Sequence, residues 1–195
     1  MTKILISLLL LLNISLLAKD KPKECTYYLD KNSIVIGWSA FKTPEKVGVK
    51  GSFNGASVSI YNKANSLEEL LVGSMAVIDT RFLTTSNSKR DETIFDNFFS
   101  FLNPIPMIKA SITDVDTKDL ILYLNVTMNG KTKNIPMKFK VLNGYFQAIG
   151  NIDIKDFALS TALDTLNKAC FDLHKGVTWS EVEIALEVKI NRACK

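Results

Sequence analysis

Leu120-Ile-Leu-Tyr-Leu-Asn-Val-Thr-Met-Asn-Gly-Lys-Thr-Lys-Asn-Ile-Pro-Met-Lys-Phe-Lys-Val141 is the stretch that decides the fold. Leu120, Leu122, Leu124, Val126 and Met128 recur at every second position, although Ile121 and Tyr123 make the other face partly apolar. After Asn129-Gly130 the pattern resumes with Ile135, Met137, Phe139 and Val141, separated by Lys138 and Lys140. Successive side chains of an extended chain point to opposite faces, so period two means a strand with one buried and one wet face. Asn-Gly between two such runs is the strongest short hairpin signal, because a tight two-residue turn needs positive φ at both positions.

The same reading extends outward. Phe146, Ala148, Ile152 and Ile154 form a further alternating series behind Asn143-Gly144, a second turn signal. Val182, Ile184, Leu186, Val188 and Ile190 alternate with Glu181, Glu183, Glu187 and Lys189. Toward the N-terminus, Ile34, Ile36 and Trp38 alternate with Ser33, Gly37 and Ser39, and Val47, Val49 and Phe53 alternate with Lys46, Lys50 and Ser52. Asn54-Gly55 is read as a third hairpin turn. Successive hairpins give a meander, and about eight strands with one apolar face close into a barrel that leaves no edge exposed. The expected fold is therefore all-β: an extended antiparallel β-barrel of about eight strands, with one or two short helices. Ser88-Lys-Arg-Asp91 has capping-box spacing and opens a helix; Ile94, Phe95, Phe98, Phe99 and Leu102 follow at helical spacing, and Asn103-Pro104 ends it. Asp156 to Cys170 is a second break in the β pattern, helical or looped.

The ends of the chain bear on where it works. Lys3 precedes a nearly unbroken apolar run from Ile4 to Leu12, Ile14 to Leu17 extend it, and Ala18 is a small residue before the charged Lys19-Asp20. This reads as a signal peptide over residues 1–18, too short for a membrane span, followed by one domain over 19–195. Cleavage after Ala18 would remove Lys3 and no acid, taking the formal charge from +4 to +3. The charges are scattered, and no block of Lys or Arg resembles a phosphate-tracking stripe, which argues against nucleic acid as a partner. An exported chain permits disulfides. If the first and last strands are antiparallel neighbours, Cys25 and Cys194 meet, leaving Cys170 as a free thiol.

Little in the sequence looks catalytic. His174 is the one histidine, so any Ser-His-Asp or Cys-His system has to use it, and Cys170 lies four residues away. Three Cys and one His also match the inventory of a structural zinc site, although no C-x-x-C pair is present. The alternating carboxylates read as a wet sheet face. Phe95, Phe98, Phe99 and Phe101 cluster on or beside the first helix. They either complete the core of a filled barrel or line the mouth of an apolar cavity.

Four stretches, in order, resemble the YceI-like family of exported polyisoprenoid-binding proteins with a lipocalin-like barrel. They are Tyr27-Tyr-Leu-Asp-Lys-Asn-Ser-Ile-Val-Ile-Gly-Trp38, Val47-Gly-Val-Lys-Gly-Ser-Phe53, Lys89-Arg-Asp-Glu-Thr-Ile-Phe-Asp-Asn-Phe-Phe99 and Asn125-Val-Thr-Met-Asn-Gly-Lys-Thr-Lys-Asn-Ile-Pro-Met137. The resemblance implies a periplasmic location, no catalytic residues, and a barrel interior that holds an isoprenoid lipid, a quinone or another long-chain lipid. It carries Trp38, Phe53, Phe95, Phe98 and Phe99 over as apolar lining; alternation adds Phe139 and Phe146. Pairing into a homodimer is left open. Cys170-Phe-Asp-Leu-His-Lys-Gly-Val-Thr-Trp179 departs from the family pattern. Two other readings stand beside this one: a non-catalytic structural or stress-response interaction protein with a filled barrel, and a thiol or metal protein using Cys170 and His174.

Overall fold

The computed structural model describes residues 24–195, so the signal-peptide reading of residues 1–18 lies outside the described residues. The elements follow in the order β1 (Cys25–Lys42), β2 (Val47–Phe53), β3 (Ala56–Ser59), β4 (Lys63–Ala64), α1 (Leu67–Leu71), β5 (Met75–Asp79) and β6 (Leu83–Thr84). Then come α2 (Ser88–Asn97), β7 (Met107–Asp116), β8 (Ile121–Met128), β9 (Lys131–Leu142), β10 (Tyr145–Asp153), α3 (Ser160–Ala169) and β11 (Thr178–Cys194). The Asn129-Gly130 turn joins β8 to β9, with φ of 50° and 69° at the two residues; Asn143-Gly144 joins β9 to β10 with 52° and 77°. Both are the double left-handed geometry that Asn-Gly adopts most readily.

All strands form one curled antiparallel sheet in the order β3-β5-β7-β8-β9-β10-β11-β1-β2-β6, with β4 on the start of β1. The ends of that path are joined by the chain itself. Ser52 and Phe53 of β2 pair with Thr84 and Leu83 of β6, and Ala56 to Ser59 of β3 pair with Ile78 to Met75 of β5. Between them the Asn54 amide donates to the Phe82 carbonyl at 3.0 Å and the Asp79 amide to the Gly55 carbonyl at 3.1 Å. Residues 47–59 are thus one kinked strand running antiparallel to 75–84. Counted this way, the expected number of about eight strands holds.

This corrects the reading of Asn54-Gly55 as a hairpin: the chain continues in the same direction through it. A Cβ on Gly55 would stand 2.5 Å from Cδ2 of Phe82, so the glycine admits an aromatic ring rather than turning the chain. The start of α2 is also corrected. Its cap is Asn87, whose side chain accepts from the Arg90 amide at 3.0 Å, one residue before the capping box expected at Ser88. Asp91 instead accepts from the Thr85 amide at 2.8 Å, tying α2 to the strand before it.

Inward side chains form one core. Leu122, Met137, Phe146 and Val188 are almost wholly buried in it, with α1 contributing Leu70 and Leu71. The short α1 packs on β1, β4 and β7. At the other end α2 and α3 pack on each other and α3 packs on β11. The start of β1 is fixed to the end of β11 in register, Cys25 opposite Cys194, and the two are disulfide-bonded. Among the described residues, no helix is long and apolar enough to cross a membrane.

Candidate functional site

The end of the barrel under α2 and α3 is not filled. β1 brings Trp38 and Ala40 to the inner face, in register with Ile184 and Val182 of β11 on one side and with Gly51 and Val49 of β2 on the other. Gly51 is what lets the Trp38 indole lie across β2: a Cβ there would stand 2.2 Å from Cζ2 of the ring. Its role is close approach, since Trp38 covers the space a side chain would take.

A cavity of about 120 Å³ results. Trp38, Ala40, Phe53, Val182 and Ile184 line it from the sheet, Ile94, Phe98 and Phe99 from α2 and the turn after it, and Leu163 and Leu166 from α3. Met128, Ile108, Ile152, Ile154, Trp179 and Thr178 complete the wall. The aromatic rings meet edge to face, Phe53 against Phe99 at 5.8 Å and Phe98 against Phe99 at 5.1 Å, an arrangement that packs without closing the space. The Thr178 hydroxyl is already bonded, donating to Asn167 Oδ1 at 2.8 Å.

A second, more polar space of about 400 Å³ adjoins the first and shares Trp38, Ala40, Ile94, Leu166 and Thr178 with it. Phe41, Val49, Ala169 and Leu173 give it apolar wall, and Lys42, Lys89, Arg90 and His174 give it charge and polarity. An apolar interior leading to a polar rim is the arrangement of a site for an amphiphile.

Cys170 and His174 line this second space, but their environment is unlike that of an activated thiol. Burial pushes the Cys170 thiol above its ordinary value, against the opposing effect of Lys42, whereas a nucleophilic thiolate needs a lowered one. Burial, and then Lys42, holds His174 below its ordinary value. Its Nδ1 is 2.6 Å from Thr178 Oγ1 and its amide donates to the Cys170 carbonyl at 2.8 Å, contacts that hold the loop after α3 in shape. With Cys25 and Cys194 in a disulfide, the three-Cys zinc set does not assemble. Among the described residues, no group of three or more His, Cys, Asp or Glu is placed to hold a metal ion.

Of the expected lining residues, Trp38, Phe53, Phe98 and Phe99 come together around the cavity. Phe95 packs against the core from α2 without lining it. Phe139 and Phe146 belong to the filled part of the barrel, their rings 5.1 Å apart and both buried. They face inward as alternation requires, but neighbouring strands β9 and β10 bring them onto each other. The α3 wall and Trp179 were missed. The spacing of Leu159, Leu163 and Leu166 is the helical signal that marks the α3 wall; Trp179 lies on β11.

The model of the YceI-like domain family matches residues 27–191. UPF0312 protein YE1254 of Yersinia enterocolitica is 29% identical over 129 residues, 60% of this chain and 61% of the relative, so the chain spans about three fifths of that relative's length. Among solved structures, BcnA of Burkholderia cenocepacia superposes with a TM-score of 0.59 at 12% identity, over 84% of this chain and 99% of the other. A polyisoprenoid binding domain from Saccharophagus degradans gives 0.54 at 14% identity, over 85% and 98%. The Campylobacter jejuni YceI protein gives 0.52 at 18% identity, over 76% and 86%. At these identities the structural likeness is one of fold.

Proposed function

The chain belongs to the YceI-like domain family, and on that premise we propose that it is an exported, periplasmic binding protein that holds a polyisoprenoid or similar long-chain amphiphile. The observation that carries this reading is the apolar cavity under α2 and α3, with Trp38, Phe53, Phe98 and Phe99 on its wall. Apolar linings of this kind favour apolar guests. The mechanism is desolvation without bond making. Each methylene-sized group moved from water into the cavity contributes about 0.8 kcal/mol, part of which is offset by ordering of the chain. The barrel suits this task because its backbone groups bond one another, leaving side chains alone to face the guest. A Saccharophagus degradans domain of the same fold is described as polyisoprenoid binding, which supports the same ligand class.

Leu122, Met137, Phe146 and Val188 fill much of the remaining interior, and this favours the rival reading of a solid barrel. Native mass spectrometry of full-length protein expressed in a bacterium and recovered from the periplasm without detergent separates the two. The expected result is a chain beginning at Lys19 with a discrete added mass that extracts into organic solvent as a prenyl lipid or quinone. Bare protein that also takes up no added prenyl, quinone or fatty acyl chain would overturn the binding reading.

A further inference from the structure

We infer that the loop over residues 170–177, which follows α3, seats the protein on the surface of a bilayer that contains anionic lipid. The loop belongs to the segment that departs from the family pattern, and this role is independent of what the cavity holds. The loop is built rigidly. The Phe171 carbonyl accepts from the Gly176 amide at 2.9 Å, the His174 carbonyl from the Val177 amide at 3.0 Å, and the Gly176 carbonyl from Asn167 Nδ2 at 3.1 Å. Lys175 and Gly176 close the turn with φ of 50° and 77°. The Thr43 amide donates to the Val177 carbonyl at 2.9 Å, which ties the loop to the turn between β1 and β2. Yet this fixed loop presents its two large apolar side chains to solvent. Phe171 is 58% exposed and Leu173 74%, and Val47 at the start of β2, beside that turn, is 48% exposed. A rigid tip cannot turn such side chains inward, so their apolar surface is available to a partner.

Charge identifies the partner. Lys168 stands three residues before Phe171, and Leu173 borders the same space as Lys42, Lys89 and Arg90. Among the described residues, none of these four cations makes an ion pair. Lys175 and Lys46 are neutralised by Glu45 at 3.2 Å and Glu181 at 2.6 Å, and Asp172 is the one carboxylate on the loop itself. The unpaired charge around the tip is therefore mainly positive. Exposed apolar side chains within a cationic surround have the composition of an interfacial anchor. The apolar groups enter the boundary between head groups and acyl chains, while lysine stems lie along it and their ammonium groups meet lipid phosphates. A protein partner fits less well, because a stable protein interface takes about 800 Å² from each side and a tip of two or three side chains offers only part of that. Since Leu173 also borders the second space, docking turns the open end of the barrel toward the bilayer.

The test is sedimentation of the periplasmic protein with vesicles of phosphatidylethanolamine and phosphatidylglycerol, set against vesicles of phosphatidylcholine alone. The wild type is expected to bind the anionic vesicles more strongly, and less so as salt is raised. Phe171→Ser with Leu173→Ser is expected to lower partition about tenfold, with circular dichroism unchanged. Phe171→Trp gives a second readout that does not depend on that variant folding: brominated acyl chains are expected to quench its emission beyond that of the wild type. A wild type that sediments with neither vesicle overturns the inference, as does a folded double variant that sediments like the wild type. Absence of extra quenching in Phe171→Trp overturns insertion of the loop, and equal binding to both vesicles overturns the role of charge. A wild-type dimer that the double substitution dissolves means that the tip covers a second copy, which overturns the membrane assignment. A parallel titration with farnesol, read by tryptophan fluorescence, keeps the two readings apart. Uptake of farnesol without vesicle binding overturns docking alone, whereas vesicle binding without uptake of any prenyl chain supports docking and overturns the cavity reading.

Discussion

Thr178 has one hydroxyl proton, and its destination fixes the state of His174. The Asn167 amide is oriented by its Nδ2 donating to the Gly176 carbonyl at 3.1 Å, which turns Oδ1 to Thr178. The Thr178 hydroxyl donates to that oxygen, so it accepts from His174, whose Nδ1 carries the proton of the neutral ring. Any further proton must go to Nε2, in a half-buried site beside Lys42. Burial first, and Lys42 second, hold the folded pKa below 6.5. The sign follows: as pH falls past 6.5 the unfolded chain takes up a proton that the folded chain resists, so acid progressively removes stability until the folded pKa is passed. Thermal melts across that range are expected to show a larger acid-induced fall for the wild type than for His174→Gln, whose amide keeps a donor for Thr178. Parallel curves for the two proteins would remove His174 from the account of acid sensitivity.

At the scale of elements, sequence reading succeeded where a local signal has one meaning and failed where it has two. Asn129-Gly130 and Asn143-Gly144 are hairpin turns because the runs on either side alternate strongly enough to pair. Asn54-Gly55 carries the same dipeptide, but its flanks pair with residues 75–84 rather than with each other, and no local pattern reports that partner. The α2 cap moved by one residue because Asn87 and Ser88 are both competent caps and Asp91 had a tertiary partner in Thr85. Trp38 and Phe53 were legible as inward positions by alternation. Phe139 and Phe146 pack on each other because β9 and β10 are neighbours; that Phe53 and Phe99 border a void depends on what lies across the barrel. The Cys25–Cys194 bridge links β1 to β11 across a separation of 169 residues, at the end of β1 away from Lys42. It constrains the unfolded chain most of all, and its loss is expected to cost about 2–5 kcal/mol. Urea denaturation of Cys25→Ser with Cys194→Ser measures this. Because the bridge lies at the far end of β1 from the cavity, ligand affinity is expected to hold wherever the variant remains folded; a parallel loss of affinity would mean that the two ends are coupled.

The whole molecule is a barrel packed solid on one side and hollow under two helices, and that asymmetry separates a binding protein from a filled scaffold. Ala40 is the place to test it. It faces inward on β1 between Val182 and Val49 and lines both spaces. In Ala40→Phe the ring enters the cavity. Filling a void recovers about 24 cal/mol per Å³, which for a cavity of about 120 Å³ sets an upper limit near 3 kcal/mol, while misfit of an added ring costs about 1–3 kcal/mol. The two nearly cancel, so the midpoint of urea unfolding is expected to stay close to that of the wild type. Binding responds differently, because the added ring occupies the volume that the proposed prenyl ligand needs, and affinity for farnesol is expected to fall by at least about tenfold, or 1.4 kcal/mol. A stable variant that still binds would place the ligand elsewhere on the molecule. A variant that unfolds readily would mean that this end of the barrel tolerates no filling, and that the hollow is a requirement of the fold before it is a site.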